Sequence, residues 1–216
     1  MKRSPVYMSA KHQKLSSKIF QKFLTFQLIG LILAEPTLKK VLVTDGRNKG
    51  KCLDGSPPGY YKKEFDPDVT IENKVLIELP AGAWCYWLET THENEKGDGA
   101  HCSNRSNGSK GSSLNQYNKA NKTINRYGMA SESSDFNRWE YYEFIYCDGF
   151  SWQGRREEPL KTRDEKDLYF RGYYSFLDLI ENIFRDRKKP EQVILKGNSA
   201  GGLATMHFTA FEILRK

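Results

Sequence analysis

The sequence lacks any apolar run long enough to span a membrane and is poor in cysteine and histidine. Its apolar segment at residues 23–34 would form about 18 Å of helix, well short of a hydrocarbon core of about 30 Å. There are four cysteines and four histidines in 216 residues, without the Cys-x-x-Cys or Cys-x-x-His spacing of a zinc site. We therefore expect no stable membrane span and no bound metal.

Acidic residues are absent from residues 1–34, and this absence accounts for most of the net charge of +7. The rest of the chain holds 28 basic and 27 acidic residues, so a positively charged nucleic-acid-binding face is not expected. A basic stretch followed by a short apolar segment is typical of a secretory signal, and we expect cleavage after Ala34. An uncleaved anchor and a buried core helix are the alternatives.

The remaining body, residues 35–216, has features of an extracellular protein. Its four cysteines are an even number that suggests two disulfides. Three Asn-x-Ser/Thr sequons begin at Asn104, Asn107 and Asn121, in a polar stretch that we interpret as surface loop and expect to be glycosylated. The sequence therefore predicts a secreted glycoprotein.

A serine between two glycines carries the main chemical signal. The apolar residues 193–195 are followed by Gly197-Asn198-Ser199-Ala200-Gly201, the Gly-x-Ser-x-Gly pattern of a strand, a sharp turn and a helix start. Such a nucleophile elbow makes Ser199 a candidate acyl-transfer nucleophile and the Ala200 N–H a candidate oxyanion donor. A structural glycine turn is the alternative.

Strand-like and helix-like segments alternate along the chain. We expect strands near residues 41–44, 74–79, 141–146 and 193–195 and a helix over residues 168–185. This order predicts an α/β fold with a mainly parallel sheet flanked by helices. Gly82, Asp148 and Ser199 would then follow strand ends on one side of the sheet, where such folds place their chemistry.

Further motifs follow one another in order from residue 52 to the elbow. They are Cys52 to Tyr61, Trp84-Cys85, Cys102 with Arg105, Gly111-Ser112-Ser113, Asp135 to Trp139, Tyr146-Cys147-Asp148-Gly149, Leu168 to Gly172, and Gly197 to Thr205. This ordered set resembles the pectin acetylesterase and Notum family of secreted α/β-hydrolase-type serine esterases.

The resemblance implies hydrolysis of a carboxylic ester without a cofactor. Ser199 would attack the acyl carbon of an acylated polysaccharide, protein or lipid, and water would release the acyl group. The implied oxyanion donors are the backbone of Ala200 and of Gly82 and Ala83. Family members have consecutive glycines in this loop, whereas here Gly82 lies between two alanines.

The resemblance also implies two disulfides and an acyl pocket. The implied pairs are Cys52 with Cys147 and Cys85 with Cys102. The implied pocket residues are Trp84 and Trp152, with Asp148 nearby; buried core tryptophans and an Asp-Gly turn are the alternative interpretations.

Only one histidine and one acid, His207 and Glu212, follow Ser199, and both lie in the helix expected immediately after the elbow. In this fold the histidine and acid of a catalytic triad follow the serine, and His207 would lie about 12 Å along the helix that begins at the elbow. We therefore expect a chain whose C-terminal part is missing, either a fragment or a true truncation, and no serine-dependent turnover by residues 1–216 alone. A non-catalytic secreted glycoprotein that binds carbohydrate or protein is the alternative.

Overall fold

The computed structural model describes residues 37–86, 100–115, 121–123, 128–162 and 165–213. The predicted signal segment, residues 1–34, lies outside these ranges. The strands are β1 (Thr37–Leu42), β2 (Gly59–Lys63), β3 (Glu72–Leu79), β4 (Asn121–Thr123), β5 (Trp139–Phe144), β6 (Leu160–Lys161), β7 (Asp167–Leu168) and β8 (Gln192–Gly197). The helices are α1 (Ala100–Ser106), α2 (Gly172–Phe184) and α3 (Ala200–His207), and α3 continues into a π-helical turn (Phe208–Ile213).

Six strands form a mixed sheet in the order β4-β1-β2-β5-β3-β8, and β6 pairs with β7 separately. Strand β3 is parallel to both β5 and β8. The β1–β2, β1–β4 and β2–β5 pairs are antiparallel. The α/β fold is confirmed, and the parallel arrangement holds for the β5-β3-β8 part of the sheet. Apolar periodicity identifies strands but carries no information on their direction, which is why the antiparallel part was not predicted.

Alternate side chains of β3 point to two different cores, as the two-residue period of a strand requires. Val75, Ile77 and Leu79 pack with apolar residues of α2, α3 and Phe208. Leu76 packs on the opposite face, in a cluster that includes Tyr61, Tyr141 and Ala130. Both faces of β3 are therefore covered, and the strand holds a central place in the fold.

The polar stretch that contains the sequons is not a single loop. Asn104 lies in α1, Asn107 in the turn that follows, and Asn121 begins β4. The side chains of Asn104 and Asn107 are exposed. The loop prediction was wrong because α1 buries small and sulfur-containing residues, namely Cys102, Ser103 and Ser106, rather than the large apolar residues that reveal a helix in a sequence.

Four strand ends meet on one side of the sheet. Strands β3, β5 and β8 are parallel, and β1 shares their direction because two antiparallel pairings separate it from β5. The loops that follow them, residues 43–58, 80–86, 145–156 and 198–199, form what we call the upper rim. Among the described residues, no helix combines the length and apolarity that membrane crossing demands.

Candidate active site

Ser199 stands at the sharp turn between β8 and α3. Its backbone has φ 52° and ψ −118°, a conformation that non-glycine residues rarely adopt. It occupies the N-cap position of α3, but its hydroxyl makes no capping hydrogen bond. The side chain is exposed, so the hydroxyl is accessible on the upper rim.

The glycines on either side of Ser199 are required by lack of space. A Cβ on Gly197 would lie 2.1 Å from the Gly201 carbonyl oxygen, and a Cβ on Gly201 would lie 2.0 Å from the Leu79 carbonyl oxygen. Real Cβ atoms essentially never approach another atom below 3.0 Å. Strand β8, helix α3 and the end of β3 thus approach as closely as a nucleophile elbow demands.

The loop that follows β3 borders the elbow directly. Leu79 pairs with Gly197 in the parallel register, and the Asn198 N–H donates to the Leu79 carbonyl oxygen at 3.2 Å. The predicted oxyanion residues Gly82 and Ala83 lie in this loop. The third, Ala200, is the first residue of α3 and fully buried, where the first N–H groups of a helix have no acceptor within the helix.

Strained backbone is concentrated on the upper rim. Six non-glycine residues in the described ranges have positive φ, and five of them lie in the loops of the upper rim, namely Lys49, Ala83, Ser151, Trp152 and Ser199. Such conformations cost about 1–3 kcal/mol each and cluster at functional sites. Strained backbone is therefore a shared property of the loops that follow β1, β3, β5 and β8.

Asp148 follows β5 and is 1 % exposed. Its Oδ1 accepts the Trp152 N–H at 3.2 Å, and a Cβ on Gly172, the first residue of α2, would lie 2.0 Å from Oδ2. Burial raises the pKa of this carboxyl to about 6, against the opposing effects of backbone hydrogen bonds and the Arg105 charge. Asp148 therefore lies beneath the rim and not on an accessible pocket wall.

The two tryptophans predicted for an acyl pocket have different surroundings. Trp84 is 44 % exposed and donates its Nε1–H to Ser151 Oγ at 2.5 Å. Trp152 is 1 % exposed, and its ring centroid lies 4.5 Å from that of Tyr146. Trp84 thus presents an accessible ring on the rim, together with the exposed Phe150, which the sequence did not indicate, whereas Trp152 belongs to the core.

Both disulfides hold loops of the upper rim in place. Cys52 is bonded to Cys147 and Cys85 to Cys102, the same pairs that the resemblance implies. The first bond links the loop after β1 to the loop after β5, and the second links the loop after β3 to α1. A backbone hydrogen bond from Cys85 to the Gly149 carbonyl oxygen, at 3.0 Å, adds a further connection.

No histidine of the described residues forms a hydrogen bond with Ser199. The His101 ring stacks on Tyr86 at 4.1 Å between centroids, and His207 ends α3, about 12 Å along the helix from Ser199. His92 lies outside the described residues. Over the same ranges, no group of three histidine, cysteine, aspartate or glutamate side chains is arranged to hold a metal ion.

Three residues in contact with the loop after β3 were not identified as site residues from the sequence. Arg105, Lys110 and Tyr146 all donate hydrogen bonds to its carbonyl oxygens. Arg105 and Tyr146 belong to motifs that carry the family resemblance, which was the available signal. Lys110 is one of many lysines in a polar stretch, and nothing in the sequence distinguishes it.

Comparison with known proteins agrees with this geometry. Residues 34–213 match the pectinacetylesterase family. Two solved structures of the Wnt deacylase Notum from Drosophila superpose with TM-scores of 0.58 and 0.57 at 20 % identity, covering 82 % of this chain and 49 % and 48 % of theirs. These structures establish the similarity of the fold.

Curated relatives show the same relationship in sequence. Pectin acetylesterase 5 of Arabidopsis thaliana is 31 % identical over 156 residues, 72 % of this chain and 33 % of its own length. Pectin acetylesterase 4 of the same plant is 28 % identical over 78 % of the chain and 38 % of its own length. The palmitoleoyl-protein carboxylesterase NOTUM of Schmidtea mediterranea is 25 % identical over 72 % of this chain and 27 % of its own length. The chain spans about a third of the length of these relatives, and it belongs to the pectinacetylesterase family.

Proposed function

We propose that the protein is a secreted carboxylic-ester hydrolase in which Ser199 is the nucleophile. Its Oγ attacks the acyl carbon of an acylated polysaccharide, protein or lipid, and the alcohol leaves with a proton. Water then cleaves the acyl-enzyme, releasing the carboxylic acid and restoring the serine hydroxyl. The histidine and the acid that this chemistry needs are supplied, in this proposal, by residues other than the described ones.

The observation that carries the proposal is the elbow itself. An exposed serine in a strained conformation, between two glycines that no other residue can replace, lies beside the N-terminus of α3. A purely structural turn has no need of an uncapped, exposed hydroxyl at this point. The names of the relatives, two pectin acetylesterases and a palmitoleoyl-protein carboxylesterase, support ester hydrolysis as the reaction.

Secretion and glycosylation are part of the same proposal. Two disulfides in one body of the chain are typical of proteins that mature in an oxidising compartment. Asn104 and Asn107 are exposed, as glycan acceptors must be.

The test is covalent labelling and turnover of the protein secreted from its native transcript. We expect a fluorophosphonate to add to Ser199, because its phosphorus accepts the serine oxygen as fluoride leaves, and we expect hydrolysis of 4-nitrophenyl acetate. Ser199→Ala should abolish both, while Ser133→Ala, which removes another exposed hydroxyl, should change neither. Equal turnover in Ser199→Ala and the unsubstituted protein would refute the proposal. Absence of turnover in both, with retained glycan binding, would favour the non-catalytic alternative.

A further inference from the structure

Three side chains hold three consecutive carbonyl oxygens of the loop after β3. Lys110 Nζ donates to the Ala81 oxygen at 3.0 Å, an Arg105 guanidinium nitrogen to the Gly82 oxygen at 2.7 Å, and Tyr146 Oη to the Ala83 oxygen at 2.6 Å. The same Arg105 nitrogen lies 3.4 Å from the Ala83 oxygen. We refer to Arg105, Lys110 and Tyr146 as the carbonyl clamp.

The members of the carbonyl clamp support one another. Arg105 Nε donates to the Lys110 carbonyl oxygen at 3.1 Å, and the guanidinium lies 5.3 Å from the centre of the Tyr146 ring. Tyr146 is fully buried, and its oxygen also accepts the Ser151 N–H at 3.1 Å. Burial raises the pKa of Tyr146 to about 12, so the phenol keeps its proton at neutral pH and can donate it to Ala83.

Fixing these oxygens also fixes the amide groups of the next residues. In a planar trans peptide the N–H points away from the carbonyl oxygen of the same unit, and the described residues contain no cis peptide. The clamp therefore directs the N–H groups of Gly82, Ala83 and Trp84 away from itself. No acceptor for these three N–H groups occurs among the described residues.

The elbow borders the same loop, through the hydrogen bond from Asn198 to Leu79 and the close approach of Gly201 to Pro80. We infer that Arg105, Lys110 and Tyr146 are positioning residues that fix the oxyanion hole of Ser199 by holding the carbonyl side of its loop. This inference rests on the proposed function. It also explains how Ala83 is held at φ 53°, a backbone conformation that favours glycine.

The test compares two buried tyrosines that each lose one hydroxyl. Tyr146→Phe removes the donor to Ala83, whereas Tyr60→Phe removes a donor to Asn182 Oδ1, at 2.9 Å, in the same apolar core. Both variants should remain folded, and Tyr146→Phe should be the less stable because the Ser151 N–H also loses its acceptor. We expect only Tyr146→Phe to lower kcat for 4-nitrophenyl acetate, by about tenfold or more, with KM changed less than about threefold.

Arg105→Lys provides a second variant, because it keeps the charge but loses the planar fork that reaches the Gly82 and Lys110 oxygens together. It should also lower kcat with little change in KM. If Tyr146→Phe and Arg105→Lys both retain the kcat of Tyr60→Phe, while Ser199→Ala is inactive, the positioning role is refuted and the proposed function stands.

A readout that does not depend on turnover separates the two proposals. In ¹⁵N-labelled protein, Tyr146→Phe should shift or broaden the amide resonances of Gly82, Ala83 and Trp84, and Tyr60→Phe should leave them in place. Absence of Ser199-dependent hydrolysis in the unsubstituted protein would overturn the proposed function. Unchanged resonances in Tyr146→Phe would overturn the clamp whatever the activity.

Discussion

Gly201 lies so close to Leu79 that a Cβ at residue 201 would stand 2.0 Å from the Leu79 carbonyl oxygen. Because that oxygen belongs to the end of a central strand, it cannot move aside without disturbing β3. The contact joins the helix behind the candidate nucleophile to the strand that leads into the proposed oxyanion loop.

The neighbouring glycine offers a matched control for this contact. We expect Gly201→Ala to lower the free energy of unfolding by about 2–3 kcal/mol through overpacking. Gly202→Ala should be neutral or stabilising by up to about 1 kcal/mol, because its Cβ would lie 3.6 Å from the nearest atom and alanine favours the helix. Urea unfolding of both variants measures the difference; equal stabilities would contradict the close packing at Gly201.

Substitution by glycine should have different effects on stability at two alanines of the loop after β3. Ala83 has φ 53°, a conformation that costs an alanine about 1 kcal/mol relative to glycine. Ala83→Gly should therefore leave the midpoint of urea unfolding unchanged or raise it. Ala81 is not among the residues with positive φ, so Ala81→Gly should lower the free energy of unfolding by about 0.5–1 kcal/mol. The reverse order would show that Ala83 is not strained.

Asp178 anchors the loop after β1 to α2. Its Oδ1 accepts the backbone N–H and the side-chain amide of Asn48, at 2.8 Å and 2.9 Å, and its Oδ2 accepts the Gly50 N–H at 2.7 Å. Asp178→Ala leaves these donors without their acceptor, and we expect a loss of about 3 kcal/mol. Asp186→Ala, at an exposed position, should change stability by less than about 0.5 kcal/mol. Thermal or urea unfolding of the two variants would show whether the buried carboxylate makes this difference.

The raised pKa of Asp148 predicts a particular pH dependence of stability. Between its ordinary pKa near 4 and the folded value of about 6, the folded state binds the proton more often than the unfolded state. The contribution of this group to the free energy of unfolding therefore falls by about 3 kcal/mol as pH rises from about 4 to about 6. Above pH 6 it is constant.

Asp148→Asn isolates this effect because asparagine does not titrate. The difference in free energy of unfolding, unsubstituted minus variant, should decrease from pH 4 to pH 6 and then level off. Urea unfolding at pH 4, 5, 6 and 7 provides the measurement. A difference that is constant over this range, or that increases with pH, would show that burial does not raise this pKa.

The two disulfides close loops of very different length. Cys52 and Cys147 are 95 residues apart, whereas Cys85 and Cys102 are 17 apart. In the chain-entropy description the longer loop gives the larger stabilisation, about 4.7 against about 3 kcal/mol. Replacing Cys52 and Cys147 together by alanine should therefore lower stability more than the same change at Cys85 and Cys102. All four residues are buried, so the two double variants create comparable cavities, and the opposite order would argue against an entropic origin.

The elements around the elbow could be predicted from the sequence, since their residues satisfy local rules. The glycines around Ser199 signal the turn, and the apolar residues of β3, β5 and α2 show the periods of strands and a helix. Strand β2 was not predicted, because Gly59–Lys63 follows a stretch rich in glycine and proline and ends with two lysines. Its Lys63 is buried and donates to the carbonyl oxygens of Ala130 and Asn137, at 3.0 Å and 2.9 Å.

The carbonyl clamp shows why the rest of the site could not be predicted. Arg105 is 23 residues from Gly82, and Tyr146 is 63 residues from Ala83. Their contacts depend on how α1 and β5 approach the loop after β3, and no local pattern encodes that approach. The same holds for Trp152, whose aromatic ring suits either a pocket or a core until its burial is known.

The cross-links of the upper rim also bear on how the protein would take up a ligand. Because the loops after β1, β3 and β5 are linked to one another or to α1, they are ordered before a ligand binds. Binding then costs little conformational entropy. Reduction of the disulfides would return that freedom to the unbound rim while the hydrogen-bonded sheet beneath it keeps its register. Affinity would then fall because the free protein has more conformational entropy to lose on binding, even if every contact in the complex were unchanged.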